Sequence, residues 1–300
     1  MPSWNVEAHF LLKDPTYYGF YAYMNLTGDL ADETSERYYA AARDLLEQDL
    51  YESWYGPLTQ AEIDYWLRLG EQLRTPYVYS YSAGWFGLSQ ALRSNVPGLL
   101  PLLVGVCLCD IFAKDRAARV QAMAFSSREG RFPLCLAKLL AGTATVLLTA
   151  LLTFAAGAIP ALLIFGGEWF DTPIQVATKT WWPITMGQEL LIRLGLLTAF
   201  ALLCGGVVML ASLMAGNSVA GLAAGLVMMI QEVLLSRYSD ASWLPGNLLG
   251  SNMFHRYQLA ELFGTQLNCV QLGAALYGGA AILLLALCWL GWRRNAAGKG

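Results

Sequence analysis

Long apolar segments in the C-terminal two-thirds of the chain constrain its fold more than any other feature. They occupy residues 96–112, 134–165, 190–214, 219–235 and 272–292. A transmembrane helix needs about 20 mostly apolar residues, and these segments approach or exceed that length. Hydrophobic residues make up 56% of the chain and charged residues only 14%, whereas soluble domains carry about 25% charged residues. The sequence therefore predicts an all-α, polytopic helical membrane protein with about five transmembrane helices.

The composition changes near Ser94. Residues 1–94 hold thirteen of the 22 Asp and Glu side chains but only six of the 19 Lys and Arg side chains. We therefore predict two domains, an acidic N-terminal domain over residues 1–94 and a transmembrane domain over residues 95–300.

The N-terminal domain has the pattern of a helical domain outside the membrane. Residues 34–54 and 59–73 are amphipathic, and Thr59 and Glu62 have the spacing of a capping box, in which each side chain accepts a hydrogen bond from the backbone N–H of the other residue. Both stretches are predicted to form helices.

The distribution of Lys and Arg sets the expected orientation. Basic residues concentrate in residues 113–133 and at the C-terminus, which carries Arg293 and Arg294. Short loops rich in Lys and Arg lie in the cytoplasm, so we predict that this loop and the C-terminus are cytoplasmic. Alternation of the spans then predicts that residues 166–189, residues 236–271 and the N-terminal domain lie on the outer side.

Small residues at four-residue spacing occur in the last two spans. Gly221 and Gly225 lie in the fourth span, and Ala274 and Gly278 lie in the fifth. Such spacing lets helix backbones approach closely in lipid. The short connection at residues 215–218 predicts that the third and fourth spans form an antiparallel hairpin.

A resemblance to a known family is carried by Ile111–Lys138, which reads IFAKDRAARVQAMAFSSREGRFPLCLAK. It resembles the cytoplasmic loop of ATP-binding cassette (ABC) type-2 permeases, which commonly show a Phe, an acidic residue, Ser-Ser or Ser-Thr, an Arg and Ala-Lys. The counterparts here are Phe112, Asp115, Ser126, Ser127, Arg131, Ala137 and Lys138. Thr75–Leu88 also resembles the stretch that leads from the family's extracellular domain into its second membrane helix. The family often has Gly where Arg119 stands, and Pro or a small residue where Arg128 stands.

The resemblance implies a permease subunit of an ATP-driven transporter in a bacterial cell membrane, exporting a drug, a peptide or a lipid-like substrate. It implies a separate ABC ATPase subunit that binds ATP and Mg, and a second permease copy or a related permease, all among membrane lipids. The chain has no G-x-x-x-x-G-K-[ST] phosphate loop, so we predict that it is not itself an enzyme and holds no cofactor. His9 and His255 lack a nearby second ligand, so no metal site is predicted. The net charge of −3 disfavours a nucleic-acid partner.

In the family, the cytoplasmic loop docks on the ATPase, so the resemblance implies that residues 113–133 are a coupling loop. The predicted coupling residues are Phe112, Asp115, Arg116, Arg119, Ser126, Ser127, Arg128, Arg131 and Lys138. Residues 115–130 are predicted to form a short helix at the membrane surface. The arginines have an alternative role as an anchor for anionic lipid headgroups, and Lys138 is interpreted as snorkelling towards water.

Ionisable residues near the spans are further candidates. Glu232 is predicted to face a substrate path, and its alternative is a position at the outer interface beside Arg237 and water. Glu189 and Arg193 are four residues apart and are predicted to form a structural ion pair. Asp110 is a candidate as well, or it marks the inner end of the first span.

The family's six-helix layout implies that a first helix is missing before Met1, which is expected to be an internal start or the beginning of a truncated product. Three other hypotheses stay open at this point. In the first hypothesis, the chain is a membrane enzyme that uses Glu232 or Asp110. In the second, it is a sensor whose acidic outer domain binds a ligand, and in the third, it is an inactive fragment without its first helix.

Overall fold

A computed structural model describes most of the chain. The described residues are 35–52, 56–73, 75, 83–94, 96–119, 132–178, 180–238, 244–249, 253–254, 256–262 and 265–297. Within them, four helical stretches are long and apolar enough to cross a membrane: Val96–Ala117, Pro133–Phe165, Met186–Ala215 and Cys269–Arg294. The prediction of an all-α, polytopic membrane protein is confirmed.

Among the described residues, three helices precede the first span. Helix α1 covers Ser35–Tyr51, α2 covers Gln60–Gly70 and α3 covers Ala83–Ser94. The predicted capping box starts α2, because Thr59 Oγ1 accepts a hydrogen bond from the Glu62 backbone and Glu62 Oε2 accepts one from the Thr59 backbone at 2.8 Å. Local sequence alone therefore determines where this helix begins.

The first span consists of α4, Val96–Leu108, and α5, Asp110–Ala117. The helix continues past the predicted end of this span at Phe112 to Ala117, inside the stretch predicted as a loop. Lys114 did not end the helix because long basic side chains can reach the headgroup level while their backbone stays helical.

The predicted helix over residues 115–130 is helical only at residues 115–117, which form the end of α5, and it does not continue through the described residues 118 and 119. The chain leaves α5 at a turn, and Arg119 has φ of 56°, a left-handed conformation that an α-helix does not contain. Residues 120–131 lie outside the described residues.

Helix α6, Pro133–Phe165, continues through Pro160. Helices α7, Met186–Ala215, and α8, Ser218–Tyr238, form the predicted third and fourth spans. The apolar part of α8, Ser218–Leu234, falls short of the length of the four long stretches, so its crossing of the membrane stays a prediction.

The turn between α7 and α8 is as short as predicted. Gly216 ends α7 with φ of 67°, and its N–H donates to the Ser212 carbonyl at 2.9 Å. Asn217 Oδ1 then accepts from the Ala220 N–H at 2.8 Å and caps the start of α8. Glycine takes this left-handed conformation without the Cβ clash of other residues, so the hairpin turns within a few residues.

The last part of the chain contains the short helix α9, Pro245–Leu248, and the long helix α10, Cys269–Ala297. Between them, strands β1, Ala260–Leu262, and β2, Thr265–Leu267, pair antiparallel. This hairpin is the only sheet among the described residues and was not predicted.

The chain divides into two compact units. Unit 1 comprises Met1–Ala91, Gly157–Ile192 and Ser251–Cys269, and unit 2 comprises Leu92–Ala156, Arg193–Gly250 and Val270–Gly300. Unit 1 therefore contains more of the chain than the acidic N-terminal segment, since its second and third segments overlap the two loops predicted to lie on the outer side.

Hydrogen bonds between distant segments hold unit 1 together. The Trp66 indole N–H donates to the Tyr257 carbonyl at 2.6 Å, and the Trp181 indole N–H donates to the Leu46 carbonyl at 3.3 Å. Trp66 also packs against the rings of Trp182 and Tyr257. Each bond joins one of the later segments to the N-terminal segment.

In unit 2, α8 packs on α4 through the predicted Gly221–Gly225 motif. A Cβ at Gly225 would lie 2.8 Å from the Pro101 carbonyl oxygen and 2.9 Å from the Cα of Gly105, and a Cβ at Gly221 would lie 2.9 Å from the Cα of Cys109. The expected close helix approach is confirmed for this motif.

Candidate functional site

Helix α5 lies at the predicted cytoplasmic end of unit 2 and holds four of the described candidate residues, Asp110, Phe112, Asp115 and Arg116. Phe112 and Ala113 are buried, whereas Asp110 and Lys114 are exposed. Asp115 and Arg116 are partly buried, so the charged side of α5 extends from the surface into its contacts with other helices. We call the contacts of α5 with the other helices of unit 2 the α5 junction.

The first part of the α5 junction is formed with α6 by Lys138. Its Nζ lies 2.6 Å from Asp115 Oδ2, donates to the Ile111 carbonyl at 2.6 Å, and lies 5.5 Å from the centre of the Phe112 ring. Only 15% of the Lys138 side chain is exposed. The snorkelling interpretation is therefore wrong, because the ammonium group turns to the protein and not to water.

The second part is formed with the turn between α7 and α8. The Ser218 hydroxyl donates to Asp110 Oδ1, and the Ser212 hydroxyl donates to the Cys109 carbonyl at 2.8 Å. Arg116 lies directly over Gly216, where a Cβ would overlap the guanidinium group. Glycine at this position thus serves both the turn and the contact with Arg116.

The third part is formed with α10, whose Trp292 ring lies 5.7 Å from the Phe112 ring, centre to centre. Both side chains are buried. Aromatic pairs at this separation stabilise a fold beyond their buried area. Helix α5 therefore contacts α6, the α7–α8 turn and α10, all within unit 2.

A cavity of about 330 Å³ opens beside α5, and we call it the α5 cavity. Its lining combines four charged residues with apolar and small ones: Cys107, Leu108, Asp110, Ile111, Lys114, Asp115, Lys138, Ala141 and Thr145. It thus lies between the end of the first span and the start of the second. This cavity could not be predicted from the sequence, because its lining residues belong to different helices that meet only in the fold.

Five of the predicted coupling residues are described, namely Phe112, Asp115, Arg116, Arg119 and Lys138. The structure brings all of them except Arg119 into the α5 junction, and Arg119 is exposed at the turn that follows α5. The other four, Ser126, Ser127, Arg128 and Arg131, lie outside the described residues. The coupling role of the whole set stays a prediction.

Comparison with protein-family models, with curated proteins and with solved structures finds no match to this chain. The resemblance to ABC type-2 permeases therefore rests on the sequence of Ile111–Lys138 and of Thr75–Leu88 alone.

Glu232 lies inside unit 2 and is only 6% exposed. This burial contradicts the part of the alternative that places the side chain in water, whereas its position relative to the outer interface and Arg237 stays a prediction. Whether it faces a substrate path stays a prediction.

Glu189 and Arg193 are both buried, one turn apart on α7. Glu189 Oε2 accepts a hydrogen bond from the Trp85 indole N–H at 2.9 Å, and Arg193 donates to the Leu249 carbonyl. These two contacts were missed by the sequence analysis, because each joins residues far apart in the chain. The ion pair between Glu189 and Arg193 stays a prediction.

Metal ligation finds no support in the part of the chain that the structure describes, since no group of three His, Cys, Asp or Glu side chains comes together there. His9 and His255 lie outside the described residues. All six cysteines are described and are free thiols.

Proposed function

We propose that this chain is the membrane-spanning permease subunit of an ATP-driven transporter. It works with a separate ABC ATPase that binds ATP and Mg, and with a second permease, in a bacterial cell membrane with the C-terminus in the cytoplasm. The exported substrate is a drug, a peptide or a lipid-like molecule.

The α5 junction carries this proposal. Phe112, Asp115 and Lys138 match the permease pattern, and Lys138 is far from the other two in sequence. In the structure these three residues meet in one contact, with the Lys138 ammonium on the Asp115 carboxylate and close to the Phe112 ring. The matched residues therefore form one physical unit at the base of two neighbouring helices.

The backbone at Arg119 gives independent support. Arg119 has φ of 56°, and this left-handed conformation favours glycine over residues with a Cβ. The permease family often has Gly at the corresponding position. The sequence departs from the family there, but the chain takes the conformation for which glycine is suited.

The α5 junction also provides a route for mechanical coupling. A protein that moved residues 113–133 would move α5, and α5 is joined to α6 by an ion pair, to the α7–α8 turn by Ser218, and to α10 by Trp292. Packed helices transmit such displacements because protein interiors are dense and poorly compressible. In this proposal, ATP-driven motion of the partner thus reaches several spans through one short helix.

Co-purification tests the proposal. The full chain is isolated from its native membranes in a mild detergent, and bound proteins are identified by mass spectrometry. We expect an ATPase with a P-loop to be recovered in an amount similar to that of the chain. Failure to recover any such ATPase after crosslinking in the membrane would overturn the proposal.

A pair of charge reversals locates the contact. Arg119→Glu is expected to reduce recovery of the ATPase by about tenfold, because an acidic group of the ATPase would then lose the positive charge that it binds. Arg294→Glu is the matched control, because Arg294 is also exposed and lies at the same predicted membrane face. Equal recovery with both variants would show that the turn after α5 is not the docking site.

A further inference from the structure

The α5 cavity contains opposite charges that the protein does not fully pair. Asp115 and Lys138 neutralise each other at 2.6 Å. Asp110 accepts a hydrogen bond from the uncharged Ser218 hydroxyl and forms no ion pair with any described residue. Lys114 forms no ion pair with any described residue. The cavity therefore offers one carboxylate and one ammonium group to a ligand.

The two side chains project from the same side of α5. Asp110 and Lys114 are four residues apart on α5, which places their Cβ atoms about 6 Å apart on one side of the helix. A ligand that satisfies both must carry a cation and an anion a few bonds apart. A simple anion would be repelled by the Asp110 carboxylate, and a simple cation would be repelled by the Lys114 ammonium group.

The surroundings of the cavity indicate a lipid. Its volume of about 330 Å³ is at the low end for small-molecule pockets, which suits a headgroup and not a whole phospholipid. On α6, Leu140 directly precedes the lining residue Ala141 and is 62% exposed, and Leu136, one turn earlier, is 49% exposed. Exposed leucines on a helix long and apolar enough to cross a membrane provide a surface for acyl chains.

We propose that the α5 cavity binds the headgroup of a zwitterionic phospholipid with a primary ammonium group, as in phosphatidylethanolamine. The phosphate binds Lys114, and the ammonium group donates hydrogen bonds to Asp110. A trimethylammonium headgroup cannot donate these bonds, and a glycerol headgroup brings no cation to Asp110. Binding at this site does not require an ATPase, so it is independent of the proposed transport function.

Native mass spectrometry of the purified full chain tests the site. Phosphatidylethanolamine, phosphatidylcholine and phosphatidylglycerol with identical acyl chains are added singly in detergent, and the bound lipid is counted. We expect phosphatidylethanolamine to bind about tenfold more tightly than the other two, because hydrogen bonds to charged groups contribute more than neutral ones.

Three variants assign the binding to named residues. Asp110→Asn keeps an acceptor for Ser218 but removes the charge, so it should abolish the preference for phosphatidylethanolamine over phosphatidylcholine. Lys114→Gln should weaken binding of all three lipids. Arg294→Gln, outside the cavity lining, should change nothing.

Ala141→Leu is a further variant in case Asp110→Asn does not fold. Ala141 is exposed on α6 and lines the cavity, so a leucine there fills space without altering any charge, and we expect it to prevent lipid retention. Equal binding of the three lipids to the unaltered chain would overturn the proposal. Displacement of the lipid by free phosphoethanolamine at equal concentration would also overturn it, because the site would then take a soluble molecule.

Discussion

Lys138 and Asp115 lie 2.6 Å apart, and their side chains are only 15% and 23% exposed. This pair joins the start of α6 to the end of the first span, on either side of the predicted coupling loop. Its low exposure separates it from ordinary surface ion pairs, which contribute little because water and salt screen them.

A double-mutant cycle measures this pair. Lys138→Met and Asp115→Asn are each expected to lower the free energy of unfolding by about 1–3 kcal/mol, since each leaves a partly buried charge without its partner. The double variant should lose less than the sum of the two. Thermal unfolding can be followed with a thiol-reactive dye, because Cys204 and Cys288 are buried. If the double variant loses as much unfolding free energy as the two single variants together, the interaction between Lys138 and Asp115 contributes nothing to stability.

The close approach of α8 and α4 gives the second prediction. In Gly225→Ala the new Cβ would lie 2.8 Å from the Pro101 carbonyl oxygen, so we expect the unfolding free energy to fall by about 1–3 kcal/mol, as for other overpacked sites. Gly278→Ala is the matched control, because a Cβ there meets nothing within 4 Å. Loss of stability in both variants would indicate a general effect of replacing helix glycines.

The same two glycines show what a short motif can and cannot predict. Four-residue spacing of small residues occurs at Gly221–Gly225 and at Ala274–Gly278, so the sequence predicts close helix packing equally for both motifs. Only the first packs against a neighbouring helix backbone, because spacing places small residues on one face but says nothing of what that face meets. The partner of a helix face depends on the whole fold.

Distance along the chain explains which contacts were predicted. The capping box of Thr59 and Glu62 was predicted correctly because both residues belong to one helical turn. The span positions followed from hydropathy, which is also local. The ion pair of Asp115 with Lys138 could not be predicted, since it depends on how two helices meet, and the resemblance alone indicated that both residues matter.

The Trp85–Glu189 hydrogen bond is the subject of the third prediction. Trp85→Phe removes the indole N–H that donates to a buried carboxyl group at 2.9 Å. Trp182→Phe removes an indole N–H that has no acceptor among the described residues. Both variants lose the same ring atoms, so we expect Trp85→Phe to cost about 1–2 kcal/mol more in unfolding free energy. Denaturation of the two purified variants under identical conditions gives this difference, and equal losses would contradict the role of the bond.

Glu62 provides the fourth prediction, which concerns pH. Burial raises the pKa of Glu62. Hydrogen bonds from the Leu259 backbone and from the Thr59 backbone and hydroxyl together lower the pKa by more than burial raises it, so the net pKa lies below its ordinary value of 4.5. The carboxylate thus ties α2 to the segment before β1, with the Leu259 N–H at 2.7 Å from Oε1.

A carboxyl group with a lowered pKa stabilises the folded state above its unfolded pKa, and this contribution disappears as the pH falls through the folded pKa. We therefore expect protection of the Leu259 amide against hydrogen exchange to be complete above pH 4.5 and to decrease below it. Glu62→Gln should lower the protection at neutral pH and remove most of its pH dependence. Glu71→Gln, on the exposed C-cap of the same helix, should behave like the unaltered chain, because Glu71 is remote from the bond between Glu62 and Leu259. An unchanged pH profile in Glu62→Gln would mean that another group controls this contact.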